Sequence, residues 1–459
     1  MTRLPFRLMR LVMLGLVLAF AAIQPAAAQS ILRDSETELM FREMSRPLIQ
    51  AAGLDPANVK IVLINDDEIN AFVAGGQIVY IHSGLLTRAD NANQMQGVIA
   101  HELGHVAGGH IIRLGEGAKV ATGITLLSIV LGAAAIAAGA PDAGMGIIMA
   151  GQRAAMGNFF AFTRAQESAS DLAGASYLSK AGYSGKGSLD FFKKLQNQEY
   201  RLAVYAKDSY DRTHPLSSER INALTQIYKK DAAWDKPTDP AIEARFQRVK
   251  AKLIGYVNSK NAVTFYPESD QSVPAHYARA YAYHLGAYPD KALAEADALL
   301  ATAPSDPFFL ELKGQILLES GRPKEAIPVL RKSVAAAPDQ PMISVMLGHA
   351  LIATEDNKNF AEAKSVLKTA VNRDNDNPFA WMQLGIVYAN EGDTPRAALA
   401  TAERNNLQGE AKLALASARM AMAGIPKGTP DFIRAQDIAM VSCADLKKDK
   451  KNKKVDCER

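Results

Sequence analysis

His101, Glu102 and His105 are the residues of this 459-residue chain whose types and spacing most directly offer chemistry, in the run His101-Glu102-Leu103-Gly104-His105. Side chains four apart on a helix project from one face, so the two imidazoles can share one ion. Two neutral imidazoles and a carboxylate suit Zn²⁺, one per chain, and leave a fourth position for water. Glu102 adjoins the first histidine and can take that water's proton as it attacks a carbonyl. A metal there acidifies the water and polarises the carbonyl, so the implied chemistry is hydrolysis near neutral pH. Five residues match by chance in many proteins; an apolar helix following a strand is the context that favours a metal.

The third ligand is less direct. A histidine six residues past His105 would complete one common pattern, but Ile111 stands there. His110 is one residue early and, on a regular helix, turned by roughly 180° from His101; it reads as a polar or packing residue. Farther on, Arg164 to Asp171 reads as a helix with Glu167 and Asp171 four apart on one face. Glu167 could bind the metal while Asp171 accepts a hydrogen bond from a ligand imidazole. Two solvated surface acids are the other reading of that pair.

These residues need a scaffold. Leu39, Met40, Met44, Leu48 and Ile49 recur at helical spacing, and Lys60–Ile64 is a short β-branched run. Gln77 to Ile81 reads as a strand, and Gln94 to about Arg113 as one long helix carrying the histidines. Val120 to Ala140 is uncharged, rich in Ala and Gly, and long enough to cross a bilayer. Without flanking aromatics it reads as a buried hairpin or mobile lid near the histidines, with peripheral membrane contact or a membrane-embedded form as the alternative.

Beyond Trp234 the composition changes. Asp235 to Pro240 carries two prolines and no apolar side chain to bury, as a linker would. Ala292, Ala326, Ala363 and Ala397 then recur at intervals of 34, 37 and 34 residues. Trp381, Leu384, Gly385 and Tyr388 follow the tetratricopeptide pattern, in which paired helices touch at small residues. Stacked repeats of this kind offer a concave groove for another polypeptide, or serve as a spacer.

Hydrophobic and charged fractions of 48% and 22% exclude a disordered chain, and the small net charge of +4 gives no argument for nucleic acid. Arg3, Arg7 and Arg10, then an apolar stretch from Leu11 to Ile23, then Ala26-Ala27-Ala28 have the three parts of a secretory leader, with cleavage expected after Ala28. The only two cysteines, Cys443 and Cys457, could close a small loop in an oxidising compartment. The basic run from Lys447 to Lys454 reads as a solvated tail. The expected division is a leader at 1–28, a metal-binding domain at 29–235, a linker with connecting helices at 236–272, repeats at 273–425 and a tail at 426–459.

His-Glu-Leu-Gly-His followed by Glu167-x-x-x-Asp171 resembles the M48 family of gluzincin metallopeptidases. So do Asn70-Ala71-Phe72, Gly75-Gly76, Gly84-Leu85-Leu86 and Thr213-His214-Pro215 with Arg220 beyond. The resemblance covers roughly residues 35 to 230. It implies a mostly helical α+β metallopeptidase domain with a small sheet, ahead of an all-α repeat solenoid. It also implies Glu167 as third zinc ligand and Asp171 as its neighbour in the second shell of contacts. His214 would be a regulatory histidine able to fill the open zinc position, and Arg220 a residue at the site's edge able to stabilise an oxyanion. The strand with Ile78 and Tyr80 would receive extended substrate by edge pairing. With leader and repeats, the chain is similar to periplasmic members of that family in Gram-negative bacteria. That likeness implies misassembled outer-membrane proteins as substrates and the β-barrel assembly machinery as a partner docked by the repeats. A latent protease domain beneath a chaperone-like or adaptor array is the rival reading.

Overall fold

A computed structural model describes residues 30–137, 140–202, 214 and 218–448. The expected leader with its cleavage point, and Cys457, lie outside the described residues. The first element, β1 (Ile31–Leu32), leads into α1 (Ser35–Ala51). Asp34 caps α1 by accepting from the Thr37 amide, and Met40, Met44 and Leu48 bury one face of it at helical spacing. Three strands follow: β2 (Lys60–Ile64), β3 (Ala71–Ala74) and β4 (Ile78–His82). Gly75 and Gly76, at φ 59 and 95, make the left-handed turn that folds β3 back on β4.

The sheet order is β1-β2-β4-β3, with β4 parallel to β2 and antiparallel to β3. The expectation that Ile78 and Tyr80 lie on a substrate-pairing edge is therefore corrected. Both flanks of β4 are occupied by neighbouring strands, and β3 forms the open margin on that side among the described residues.

After a short α2 (Ser83–Arg88) comes α3 (Ala92–Gly108), capped by the Asn91 side chain and buried on nearly every face. It stops at Gly109, whose φ of 62 suits a glycine at a helix C-terminus. His110 opens a new helix, so the single helix expected to run to Arg113 is two. The new helix, α4 (His110–Ala137), and α5 (Pro141–Ala181) form an antiparallel hairpin whose far half projects from the domain. Val120 to Ala140 is thus not the buried segment expected. Nearly all its large apolar side chains face outward, because the seam between the helices is filled by small residues.

The domain closes with α6 (Lys186–Leu202), α7 (Ser218–Tyr228) and α8 (Pro240–Val257). Phe246, Val249 and Leu253 of α8 join the same apolar core as Met44 and Leu103. Of the connecting helices expected at 236–272, α8 thus packs into the core of the first domain. A short α9 (Ser259–Phe265) leads to the repeats.

The repeats are antiparallel helix pairs: α10 (Val273–Leu285) with α11 (Pro289–Thr302), α12 (Pro307–Glu319) with α13 (Pro323–Ala336), and α14 (Pro341–Ile352) with α15 (Asn357–Arg373). They continue through α16 (Pro378–Asn390) with α17 (Thr394–Leu407), and α18 (Ala411–Gly424) with α19 (Pro430–Lys448). Proline opens many of them at the first turn, where its missing N–H costs nothing. Gly314 lies against Leu330 and Gly348 against Leu367, contacts that would not admit a Cβ. Ala292, Ala326 and Ala363 are fully buried as their spacing requires, while Ala397 is half-buried and its neighbour Ala400 takes the inner position. The segment expected as a tail from 426 is largely α19, which buries Ala435, Ile438 and Cys443 and lays Arg434 over the Trp381 ring.

The array returns to the beginning of the chain. Arg248 of α8 pairs with Glu36 at 2.7 Å and Asp306 at 2.8 Å, with its guanidinium 4.2 Å from the centre of the Phe309 ring. Tyr277 donates to Glu36 (2.7 Å), Lys252 pairs with Asp34, and Arg33 reaches Asp374 at 2.9 Å. Glu311 is buried in this joint with Ser35 donating to it at 3.3 Å. Burial pushes the Glu311 carboxyl up to about 8 despite the opposing pull of Lys252. A carboxyl raised in the folded state stabilises most where it is protonated, below its ordinary range, and that contribution is lost as pH rises through about 8. Thermal melts between pH 6 and 9 should show the parent losing stability as pH rises and Glu311→Gln losing clearly less; parallel pH profiles would remove Glu311 as the cause.

Candidate metal centre

The site is built where α3 and α5 cross. Glycines set their separation: a Cβ on Gly104 would lie 2.8 Å from the Ser170 backbone, and one on Gly174 3.1 Å from the Ala100 carbonyl. At that distance Glu167, one turn before Asp171 on α5, reaches the two imidazoles of α3. Glu167 Oε2 is 3.4 Å from His101 Nε2, Glu167 Oε1 is 3.3 Å from His105 Nε2, and the two Nε2 atoms are 3.2 Å apart. His214 supplies a fourth donor, its Nδ1 3.1 Å from Glu167 Oε1 and 3.3 Å from His101 Nε2.

These four buried side chains present donor atoms to a common point. Bonds of about 2.0–2.1 Å in a tetrahedron place donors about 3.3 Å apart, so both the donor types and their separations fit a zinc-sized ion. A hard oxygen-ligated cation would not be expected among three imidazoles.

Neighbouring groups fix each donor. Asp171 Oδ1 is 3.0 Å from His101 Nδ1, which leaves Nε2 of that ring for the metal. Arg220 of α7 grips Asp171 with both arms, Nε to Oδ2 at 2.7 Å and Nη2 to Oδ1 at 2.9 Å, and reaches Glu167 at 3.1 Å. Burial alone would lower the His101 pKa; hydrogen bonds to Asp171 and Glu167 reverse that and carry it to about 10. Burial likewise favours a protonated Glu167, and the surrounding imidazoles outweigh it and hold the carboxylate well below its usual range. His105, buried beside other imidazoles, is pushed down.

Glu102 stands apart. It is fully buried, and among the described residues neither carboxylate oxygen accepts a hydrogen bond; His214 Nε2 lies 3.5 Å from Oε1. A buried carboxylate without donors is costly unless another polar species completes its surroundings. His214 Nε2 also lies 3.3 Å from the Ala71 carbonyl, at the open margin of β3.

His101, Glu102, His105, Glu167, Asp171, His214 and Arg220 thus come together in one cluster. Ile78 and Tyr80 do not line it as an edge; Tyr80 stacks on Phe72 across the β3–β4 pair, with ring centres 5.1 Å apart. Cys443 sits in the last helix, and its expected partner lies outside the described residues. The spacing argument missed His110. The break at Gly109 turns its ring back toward the site, where Nδ1 is 3.1 Å from His105 Nδ1 and 3.1 Å from Ser170 Oγ. It does for His105 what Asp171 does for His101. The adjacent glycines 108 and 109 were the available signal that a regular-helix projection would fail there.

A small sheet, a helix with two histidines and a glutamate from α5 define a metallopeptidase. Residues 35–228 match the model for Peptidase family M48 and residues 277–341 that for the Tetratricopeptide repeat; the chain carries an M48 metalloendopeptidase domain followed by repeats. Among curated proteins it is similar to the "Beta-barrel assembly-enhancing protease" of Yersinia pestis, 27% identical over 90% of this chain and 85% of that one. The protein of the same name from Escherichia coli (strain K12) is 31% identical over 59% of this chain and 56% of its own length. "Metalloprotease LoiP" of Escherichia coli (strain K12) is 30% identical over 38% of this chain and 64% of its own.

Gly104→Ala inserts a methyl where α5 backbone already stands, an overpacking cost of about 1–3 kcal/mol. Chelator competition should show zinc held at least about tenfold more weakly in that variant, 1.4 kcal/mol being a factor of ten. Unchanged affinity would show that the helix separation does not set the ligand geometry.

Proposed function

We propose that this chain is a periplasmic zinc endopeptidase that degrades misassembled outer-membrane proteins, with Zn²⁺ held by His101, His105 and Glu167. The observation that carries the reading is the convergence of those donors beside Glu102, a buried carboxylate with no other hydrogen-bond donor. Zinc at this position would polarise the peptide carbonyl and acidify a water molecule. Glu102 accepts that water's proton and passes it to the leaving amine. Asp171 and His110 hold the two ligand rings in the tautomers that present Nε2, and Arg220 holds Asp171. This arrangement makes Arg220 a positioning residue, in place of the oxyanion role expected from the resemblance.

Substrate would align along β3 rather than β4, since the free backbone margin of β3 runs beside the site and extended chains bind such margins through main-chain hydrogen bonds. His214 lies between the Ala71 carbonyl of β3 and the metal donors, so it must move before a substrate can occupy both. That supports a latched resting enzyme. The relatives' name supports a role in β-barrel assembly, with the repeats docking substrate or the assembly machinery. The expected leader, and a Cys443–Cys457 disulfide, suit the periplasm. His214 also favours a second reading, in which the latch is permanent and the repeats act alone as chaperone or adaptor.

Two variants separate these readings. Glu102→Gln should retain one zinc per chain and lose casein cleavage by about 10²–10⁴-fold, the span typical of a lost general base; loss of the zinc as well would sink the assignment of Glu102 as base. His214→Ala should cleave casein faster than the parent, measured at equal zinc content. An equal or slower rate would remove the latch, and no cleavage in any form would leave the adaptor reading.

A further inference from the structure

The far half of the α4–α5 hairpin is built inside out for water. Its seam holds Gly117, Ser128, Gly132 and Gly144, all buried. A Cβ on Gly151 would lie 2.0 Å from that of Ser128, and one on Gly132 would lie 2.6 Å from the Gly144 carbonyl. Ile148 and Ile136 lie over Gly132 and Gly144, and most other large apolar side chains point the other way: Leu127, Val130 and Met149 are 60%, 64% and 54% exposed, and Leu126, Leu131 and Met145 are similar. A hairpin stabilised by water would put leucines in the seam. Small residues in the seam with large apolar ones outside are what close-packed helices adopt in hydrocarbon, where burying leucine between helices gains nothing.

Three further observations name the occupant. Thr122, Thr125 and Ser128 each donate to a carbonyl of their own helix, at 2.8, 3.0 and 2.8 Å, so none needs water. Between Lys119 and Arg153 the sequence carries one charge, Asp142, which is exposed on the first turn of α5 at the hairpin's tip. From Val120 to Ala137 the helix rises about 27 Å, close to the roughly 30 Å of a bilayer's hydrocarbon. Arg113, Lys119 and Arg164, against Glu116 alone, surround the near end with exposed positive charge, complementary to anionic headgroups, while exposed Arg153 lies farther along, about level with residue 126.

We infer that the hairpin enters a lipid bilayer containing anionic lipid, from about residue 120 on α4 to about residue 159 on α5, the level that faces it across the seam. The basic collar rests on the near headgroups, Arg153 extends its stem back toward them, and Asp142 reaches the far side. Both arms lead directly to the metal centre, α4 through His110 and α5 through Glu167. The site therefore stands within a few helical turns of the membrane surface, where a polypeptide emerging from or failing to enter the bilayer is first exposed. This does not depend on the chain being an active peptidase.

The test is flotation of the processed chain, beginning after Ala28, with vesicles of phosphatidylcholine alone or with phosphatidylglycerol. It is run beside a Leu127→Lys, Val130→Lys variant. Both positions face outward, and an unchanged thermal melt in detergent-free buffer verifies the variant's fold. Should the pair disturb the fold, Leu131→Ser replaces it. The expected result is flotation of the parent with mixed vesicles, resistant to carbonate, and at least a tenfold lower bound fraction for the variant. Failure of the parent to float with either vesicle overturns the proposal, as does equal flotation of parent and variant. Self-association of the parent in solution, abolished by the variant and without lipid binding, would assign the face to a second copy of the chain instead.

Discussion

The close crossing of α3 and α5 is the constraint on which the rest depends. Gly104 and Gly174 let two backbones approach to a distance that side chains would forbid, and only there does a carboxylate on α5 meet imidazoles on α3. The same crossing brings Ser170 to His110 and Asp171 to His101, so one contact positions both ligands and the groups that orient them. The small sheet, α1 and α6 bury the remaining faces of α3, which is why a helix of ordinary composition can hold Glu102 entirely away from solvent.

Buried charge follows one rule at the site and at the joint between domains. Glu36, Asp34, Glu167 and Asp171 are each matched by a cation that also lies against an aromatic ring. Such pairs add little net stability, since desolvation offsets attraction, but breaking one leaves an uncompensated charge. They act mainly on geometry. Arg220 fixes the angle of Asp171, and Arg248 fixes where the repeats meet α1. Glu102 and Glu311 depart from the rule: among the described residues neither pairs with an arginine or lysine, and each has buried oxygen that no donor satisfies.

Much of this was legible in the sequence, because periodicity and ligand spacing are local. The histidine helix, the Glu167–Asp171 pair and the alanine period of the repeats all follow from neighbours a few residues apart. What was not legible depends on how distant elements meet. Strand order is one example: Ile78 to Ile81 looks as suitable for an edge as Ala71 to Ala74 does, and only pairing places β4 inside. His110 is another, since a projection on a regular helix fails once Gly109 takes a left-handed conformation. Alanine- and glycine-rich composition in 120–140 fitted burial equally well, because composition does not say which side of a helix faces its partner. Asp235 to Pro240 reads as a linker, but nothing local shows that Phe246 and Val249 just beyond it return to the first core.

The docking of the repeats onto the first turn of α1 also sets an order in time. Arg33 and its partner Asp374 are 341 residues apart, and Glu36 and Tyr277 are separated by 241. A ribosome adding roughly 5–20 residues per second needs on the order of 10–70 s to cover such separations. Until then Arg33 has only its neighbour Glu38, and Glu36 lacks the Tyr277 hydroxyl, so the first domain waits with an unfinished polar ledge. Completion of this joint is thus the return of the repeats' middle, as far along as Asp374, to the first turn of α1.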